Sequence, residues 1–511
     1  MKKSVKVLGP PGTGKTTHLL NLVGEALNEG VQPTDICFTT FSRAGVIEAK
    51  ERAREKFGLS RDDMRYFTTI HAMCFRALNL SRDKVFGGKL LGAFAKQLGL
   101  KLTWETEEGI FAATKDDRII NIINYAEVTR QNVREVWEQH KDIVPWYELV
   151  RVIDAMKIFK EQNKLTSYND MIIEVAENPH IQLPKFKYLF IDEAQDSSTI
   201  QWSVIKNKLL GQAENVYFAG DDDQAIFAWA GADVNEFIDI KTDETTVLGQ
   251  SYRCPKTVQT IADRVTNRIS KRLPKEWAPV EDEGEIQIIR SIHEAPLEKG
   301  KWLFLGRNRS VLKNFEKDLR LKGFYYETKN NTATDRAWKP SMEYALYELA
   351  RKYWYFQEYK MTDKKSLLHV LENTALAPNL NKYKKELPDF IKMSSAPSEI
   401  RDYFNNRSWA EGIVTHSFKA KGYIQAMIMR GEQLNETPRL RLSTIHSIKG
   451  GESENVIISL DLSESSYNAL QNSKFRDEEL RVLYVGLTRA SKRLYLLYPE
   501  TDMNYLEYLR K

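Results

Sequence analysis

The run Gly9-Pro10-Pro11-Gly12-Thr13-Gly14-Lys15-Thr16 fits the pattern G-x-x-x-x-G-K-[ST], in which a glycine-rich turn curls its backbone N–H groups around an anion. Behind such a turn stands a helix N-terminus, where unpaired donors and the helix dipole both favour phosphate. Lys15 has the charge and reach for the β- and γ-phosphates of a nucleoside triphosphate, and Thr17 closes the loop as the first residue of the helix. The Thr16 hydroxyl is a hard oxygen donor suited to Mg²⁺. A second segment, Tyr188-Leu189-Phe190-Ile191-Asp192-Glu193, ends an apolar run on two carboxylates. Asp192 is placed to hold the same ion through water, and Glu193 is the candidate general base.

The flanking elements separate this pattern from a chance glycine-rich turn. An apolar strand, Val5-Lys6-Val7-Leu8, precedes the loop, and a periodic helix from Thr17 to Leu27 follows it. Further short apolar runs read as strands at Ile36-Cys37-Phe38, Leu189-Phe190-Ile191, Val216-Tyr217-Phe218, Trp302-Leu303-Phe304-Leu305, Val456-Ile457-Ile458 and Leu494-Tyr495-Leu496-Leu497. Helical patterns lie between them, which predicts a doubly wound α/β fold with parallel sheets. Residues 84–165 and 331–430 break the alternation; both are rich in helix formers, charge and aromatics, and are expected to be helical insertions.

At 511 residues and 42% hydrophobic, the chain has length and apolar content for several ordinary domains. Seventy-five Lys and Arg against 70 Asp and Glu give a net charge of +5, so affinity for nucleic acid would have to come from local surface. Two small basic clusters, Lys364-Lys365 and Lys382-Tyr383-Lys384-Lys385, read first as solvated helix faces, with contact to phosphate as the alternative. Cys37, Cys74 and Cys254 stand singly, which suggests neither a disulfide framework nor a metal cluster and fits a reducing cytosol. No apolar stretch of signal-peptide or membrane-spanning length is visible, so no membrane association is expected.

Several further segments share one resemblance. Phe190-Ile191-Asp192-Glu193-Ala194-Gln195-Asp196, Gly220-Asp221-Asp222-Asp223-Gln224-Ala225-Ile226-Phe227-Ala228-Trp229-Ala230-Gly231-Ala232 and Gln250-Ser251-Tyr252-Arg253-Cys254 resemble the UvrD/Rep/PcrA family of superfamily 1 DNA helicases. So do Thr40-Phe41-Ser42-Arg43-Ala44, Thr69-Ile70-His71, the stretch from Leu442 through His446 and Lys449 to Gly450, and the stretch from Glu479 to Ala490. The likeness runs from Gly9 to about Leu496 in the family's order.

The resemblance implies two RecA-like lobes with ATP in the cleft between them: residues 1–83 and 166–247 for the first, 248–330 and 431–511 for the second. Residues 84–165 and 331–430 fall where the family places accessory domains. Matched position by position, Arg253 and Arg489 become arginine fingers toward the γ-phosphate, and Gln224 a sensor of that phosphate or of the attacking water. Tyr252 becomes the adenine-stacking residue and Glu452 the ribose contact. Phe41, Thr69, His71, Trp229 and His446 match positions that meet single-stranded DNA. Trp229, five residues past Gln224, would join the nucleotide sensor to a base-stacking platform.

The family places an adenine-reading glutamine segment upstream of the phosphate loop, whereas only eight residues precede Gly9 here, so looser nucleotide discrimination is expected. Ser251 stands where the family has Asn, and Gly451 stands where it has an apolar residue. The segment Gly323-Phe324-Tyr325-Tyr326-Glu327-Thr328 departs from the Gly-Gly-x-Phe pattern of larger members, and no nuclease domain is expected after Arg489. The implied activity is ATP-dependent 3′-to-5′ translocation on single-stranded DNA with unwinding at single-strand/duplex junctions, in replication, repair or recombination. The implied agent is a monomeric bacterial or phage protein of the host cytoplasm, with a loading protein as a further partner. A translocase that strips proteins from DNA with little unwinding is the alternative; a nucleotide-switched binding module is a third reading, disfavoured by the complete hydrolytic set.

Overall fold

Strands that are buried on both faces demand helices on either side and a parallel arrangement. Ile36–Thr40 and Trp302–Gly306 are buried at every position, and they sit inside two separate sheets. The computed structural model describes residues 3–103, 114–329 and 338–510. Its first sheet has six parallel strands in the order Phe67–Thr68, Ile36–Thr40, Phe186–Asp192, Ala213–Gly220, Lys3–Leu8, Glu244–Val247. The strands ending at Leu8, Asp192 and Gly220 are neighbours, with Leu8 opposite Gly220 and Ile191 opposite Phe218. This order brings residues more than 200 positions apart, such as Leu8 and Gly220, to one carboxyl edge, where open α/β sheets bind ligands.

The second sheet runs Trp338–Pro340, Tyr326–Lys329, Leu440–Thr444, Trp302–Gly306, Ser453–Ser459, Ala490–Leu497, Glu285–Ile289. All of its pairings are parallel except that of the Trp338–Pro340 edge strand. Mixed α/β structure with two parallel cores was the expected class, and every apolar run read as a strand lies in one of the two sheets. The expected helix from Thr17 to Leu27 is Lys15–Asn28. Phe67–Thr68, Glu244–Val247, Glu285–Ile289 and Trp338–Pro340, strands not expected from sequence, are short or lie at edges, but two interior strands of the second sheet, Tyr326–Lys329 and Leu440–Thr444, were not expected either.

Between Phe67–Thr68 and Phe186–Asp192, the helices Lys89–Leu98, Lys115–Thr129, Val133–Glu138 and Trp146–Asn163 enclose a core of their own around Phe94, Ile122, Val136 and Val152. A small parallel ladder of Val85–Phe86 with Thr166–Ser167 pinches this unit at its base. In the second lobe, the helices Tyr344–Tyr359, Lys364–Leu371, Leu380–Glu386, Ser398–Asn405 and Phe418–Arg430 pack onto the sheet, and their core is continuous with Phe304 and Leu442. Because Trp338–Pro340 pairs into the sheet, the helical part begins at Tyr344, and residues 331–337 of the expected insertion lie outside the described residues. No described helix is long and apolar enough to cross a membrane.

One glycine fixes how the first helical unit meets its lobe. Gly231 has φ +85°, and a Cβ there would lie 2.0 Å from Val128 Cγ1 on the helix Lys115–Thr129. Gly231→Ala should therefore both strain the backbone and push this helix away, lowering stability by about 1–3 kcal/mol. Thermal unfolding against the parent checks this, and an unchanged midpoint would contradict it.

Candidate nucleotide site and nucleic-acid track

The phosphate loop takes the shape its glycines permit. Gly12 and Gly14 have φ of +74° and +76°, and Gly14 is the left-handed residue from which the helix Lys15–Asn28 starts. A Cβ on Gly9 would lie 2.1 Å from Lys15 Cγ, so the bare backbone there makes room for the lysine to run along the loop. Lys15 Nζ donates to the Gly9 carbonyl at 2.9 Å and stands 3.8 Å from Glu193 Oε1. Thr13 closes the turn by donating to the Pro10 carbonyl at 2.8 Å, and the Thr17 hydroxyl accepts from Arg52. Thr16 Oγ1 donates to Asp192 Oδ2 at 2.6 Å. A hydroxyl and a buried carboxylate in contact below a phosphate loop fit Mg²⁺, which takes few protein oxygens and completes its shell with water and phosphate.

Burial, reinforced by neighbouring Glu193, pushes the Asp192 carboxyl up to about 6. Glu193 has a left-handed backbone, φ +53°, that aims its side chain back toward the loop. Burial would raise its carboxyl, but Lys15 and Lys449 outweigh that and hold it below the ordinary glutamate value. Gln195 Nε2 donates to Glu193 Oε2 at 2.5 Å, while its Oε1 accepts from the Asp221 amide at 3.1 Å. The two carboxyl-edge loops are thereby tied together.

The second lobe supplies the far wall. Arg489 is 1% exposed; its Nε donates to the Val485 carbonyl at 2.8 Å and its Nη2 to Gln224 Oε1 at 3.3 Å. Burial, with Arg253 nearby, pushes its guanidinium down to about 9, which leaves it charged at neutral pH. Arg253 pairs through Nε with Glu452, so these two expected nucleotide contacts touch each other. Tyr252 is 77% exposed beside the loop, its amide donating to the Gly12 carbonyl at 2.9 Å. Ser251 donates to the Pro11 carbonyl at 2.7 Å and accepts from the amides of Arg253 and Cys254. Gly12 is the complement of this contact, since a Cβ on it would lie 2.5 Å from Arg253 Cβ.

Past Gln224 the chain leads into an aromatic cluster. Phe41 stacks on Phe227 at 5.1 Å, and Phe227, Trp229 and His446 lie 6.3 Å from one another. Trp229 is half-buried and borders a cavity of about 390 Å³ that Phe86, Tyr125, Tyr168 and Asn169 also line. Trp229 Nε1 and His446 Nδ1 are buried without a hydrogen-bond partner among the described residues, an unmet polar demand of the kind a ligand satisfies. His446 is 4% exposed, and burial with Arg307 holds its ring neutral. His71 is half-buried, 3.3 Å from Gln201 Nε2 and edge-on to Tyr168; burial, then Arg43, pushes it down to about 4. Thr69 is buried, and its hydroxyl caps the helix Ile70–Ala77 by accepting from the Ala72 amide at 3.2 Å.

Some residues at the site were not singled out by sequence. Lys449 Nζ pairs with Asp196, donates to the Gln224 carbonyl and lies 5.2 Å over the Phe227 ring, so one ammonium touches a carboxylate, the Gln224 backbone and the aromatic cluster. Phe227 is the centre of the cluster, and its spacing two residues before Trp229 was the available signal.

Residues 1–245 match the model of the UvrD/REP helicase N-terminal domain, and residues 308–501 match that of the UvrD-like helicase C-terminal domain. The chain belongs to the UvrD/Rep helicase family. It is 27% identical over 290 residues to ATP-dependent DNA helicase PcrA of Bacillus subtilis, covering 53% of this chain and 39% of that protein. It is 25% identical over 289 residues to the PcrA proteins of Staphylococcus aureus and Staphylococcus epidermidis, covering 53% of this chain and 38% of each. The match thus takes in well under half the length of these curated relatives.

Lys449→Ala should expose what the cross-lobe pair does. Burial pushes the Asp196 carboxyl up to about 7 against the pull of Lys449. Its folded value lies above the unfolded one, so the folded state binds the extra proton and stability falls as pH rises from about 4 through 7. Without Lys449 that fall should steepen, with a loss of about 3 kcal/mol above neutrality. Urea unfolding at a series of pH values tests it; equal losses at pH 5 and 8 would contradict it.

Proposed function

We propose that this protein is an ATP-dependent DNA helicase that moves 3′ to 5′ along single-stranded DNA and unwinds duplex at single-strand junctions. The observation that carries the reading is the contact of second-lobe Arg489 with first-lobe Gln224, in the same short segment as Phe227 and Trp229. Closure of the lobes on a nucleotide and movement of the stacking platform are then one mechanical event.

Each side chain has a task that its position supports. Loop amides and Lys15 bind the β- and γ-phosphates, with Tyr252 stacked on the base and Glu452 at the ribose. Thr16 and Asp192 would hold Mg²⁺, which when bound neutralises phosphate charge. Glu193 takes the proton of the attacking water, and its position below the ordinary glutamate range keeps it ionised for that role. Gln224 orients the water or the γ-phosphate, and Arg489 and Arg253 stabilise the charge that develops there, a contribution of about 10³–10⁵ in rate where such groups have been measured.

Phe41, Phe227 and Trp229 grip bases by stacking, about 1–3 kcal/mol per base without sequence readout. That is comparable to the ~1.4 kcal/mol average of a duplex base-pair step, so a grip renewed with each closure can keep pace with unwinding. The neutral imidazoles of His71 and His446 offer polar edges rather than charge to the same strand. The substrates are single-stranded DNA and single-strand/duplex junctions, and three buried free thiols suit a reducing cytoplasm.

Two measurements test this. A short duplex with a 3′ single-stranded tail should be displaced in the presence of ATP and Mg²⁺, and a 5′-tailed duplex should not. DNA-stimulated hydrolysis with no displacement from either tail would favour translocation that strips bound proteins without unwinding. Glu193→Gln should retain nucleotide binding but lose hydrolysis by about 10²–10⁴-fold, and parental turnover would overturn the general-base assignment.

A further inference from the structure

The Lys275 side chain is 1% exposed among three consecutive carboxylates, 3.0 Å from Asp221 Oδ1, 2.9 Å from Asp223 Oδ2 and in contact with Asp222 Oδ1. The carboxylates follow a first-lobe strand, and the lysine follows the second-lobe helix Lys256–Thr266. Asp222 and Asp223 have other partners: the Leu273 amide at 2.7 Å for the former, and Arg272 in a two-pronged pair for the latter. Asp221 is different. Its Oδ1 takes Lys275 and the Asp223 amide, and its Oδ2 accepts from Gln224 Nε2 at 2.6 Å.

A carboxylate can only accept, so the end of the Gln224 amide that faces Asp221 must be its NH₂ group. The carbonyl end is then forced toward Arg489, where it accepts at 3.3 Å. We propose that Lys275 is a positioning residue for Gln224, holding the Asp221 carboxylate in the orientation that turns the Gln224 carbonyl toward Arg489. This rests on the reading of Gln224 and Arg489 as nucleotide-site residues. It gives the second lobe two holds on one amide, direct through Arg489 and indirect through Lys275 and Asp221.

Removing the lysine has a specific chemical consequence. Burial works to raise the Asp221 carboxyl, but Lys275 and then Lys15 hold it below the ordinary aspartate value. Without Lys275 the carboxyl protonates more readily, and a protonated Asp221 can donate to the Gln224 carbonyl and reverse the amide. The other groups that face Asp221 are Lys15, Glu193, Asp222, Asp223 and the Tyr484 phenol, and of these only Lys15 is cationic.

The experiment measures DNA-stimulated ATP hydrolysis of the full chain as kcat and KM between pH 6 and 9, for the parent, Lys275→Met and Asp221→Asn. Lys275→Met should lower kcat by on the order of tenfold or more at pH 6 with KM for ATP changed less than about threefold, and should recover toward the parent as pH rises. Asp221→Asn leaves Lys275 with two carboxylate partners, so the fold is kept; it should show the same kcat-selective loss with no recovery. Parental kcat in both folded variants overturns the inference. So does a Lys275→Met that loses stability and activity alike at every pH while Asp221→Asn matches the parent, because the lysine is then only a clamp. A parent that does not hydrolyse ATP overturns the proposed function and this inference with it.

Discussion

The two lobes meet through buried charge, and the working parts depend on that contact. Each lobe closes its own apolar core, one around Leu189 and Phe218 and another around Leu305 and Val456. Across the boundary the apolar exchange is small: Ile226 enters the second lobe's core, and Leu273 packs against the first lobe's. The rest is aromatic, polar and ionic: Phe227 and Trp229 meet His446, Arg489 bonds to Gln224, Ser251 and Tyr252 bond to the phosphate-loop backbone, Lys275 and Arg272 face Asp221, Asp222 and Asp223, and Lys449 pairs with Asp196. Taking such charges out of water offsets most of their attraction, so pairs of this kind specify a register more than they add net stability. An interface that opened and closed with nucleotide, as proposed above, would need that combination, whereas a large apolar seam would be costly to part.

Parallel topology explains why the chemistry gathers where it does. In the first sheet three neighbouring strands end together, at Leu8, Asp192 and Gly220, and each leads directly into a functional loop. The last of these loops carries Gln224, then Ile226 in the opposite core, then Phe227 and Trp229 at the track. A shift of the second lobe therefore acts on both ends of one short segment: on Gln224 through Arg489, and on Phe227 through Ile226 and Lys449.

The nucleotide half of the site was legible because its residues are consecutive and its pattern has a mechanical cause: glycines that must turn, a lysine that must reach, an apolar strand that must end on carboxylates. Most strands buried on both faces were legible as apolar runs; Leu440–Thr444, interior to the second sheet, was not, because Arg441, Ser443 and Thr444 break the run. Edge strands such as Glu244–Val247 and Glu285–Ile289 were not, since exposed faces carry Glu, Thr and Gln without a run to see. Lys275 and Lys449 were not either: each finds its carboxylates some 50 and 250 positions away, and no periodicity links them. Among the track residues, motif identity could not separate a side chain facing the groove from one absorbed by the fold, which is why Thr69 is found capping a helix and His446 buried.

The two helical units are attached in different ways, and this has a mechanical meaning. The first has a separate core and joins its lobe through the narrow Val85–Phe86 ladder, the close approach of Val128 to Gly231 and the pairs Arg130–Glu177 and Lys160–Asp170, with Trp229 bordering a cavity at the seam. The second shares one continuous core with its sheet, from Phe304 through Leu346 and Tyr353 to Phe404. Densely packed side chains transmit displacement rather than absorb it. Movement of the second lobe thus carries its helical unit with it as one body. Between Tyr344 and Arg430 that unit holds 14 Lys and Arg against nine Asp and Glu, an excess equal to the net charge of the whole chain. The second lobe therefore concentrates positive charge, so the closure proposed above would displace a cationic segment relative to a strand bound in the proposed track.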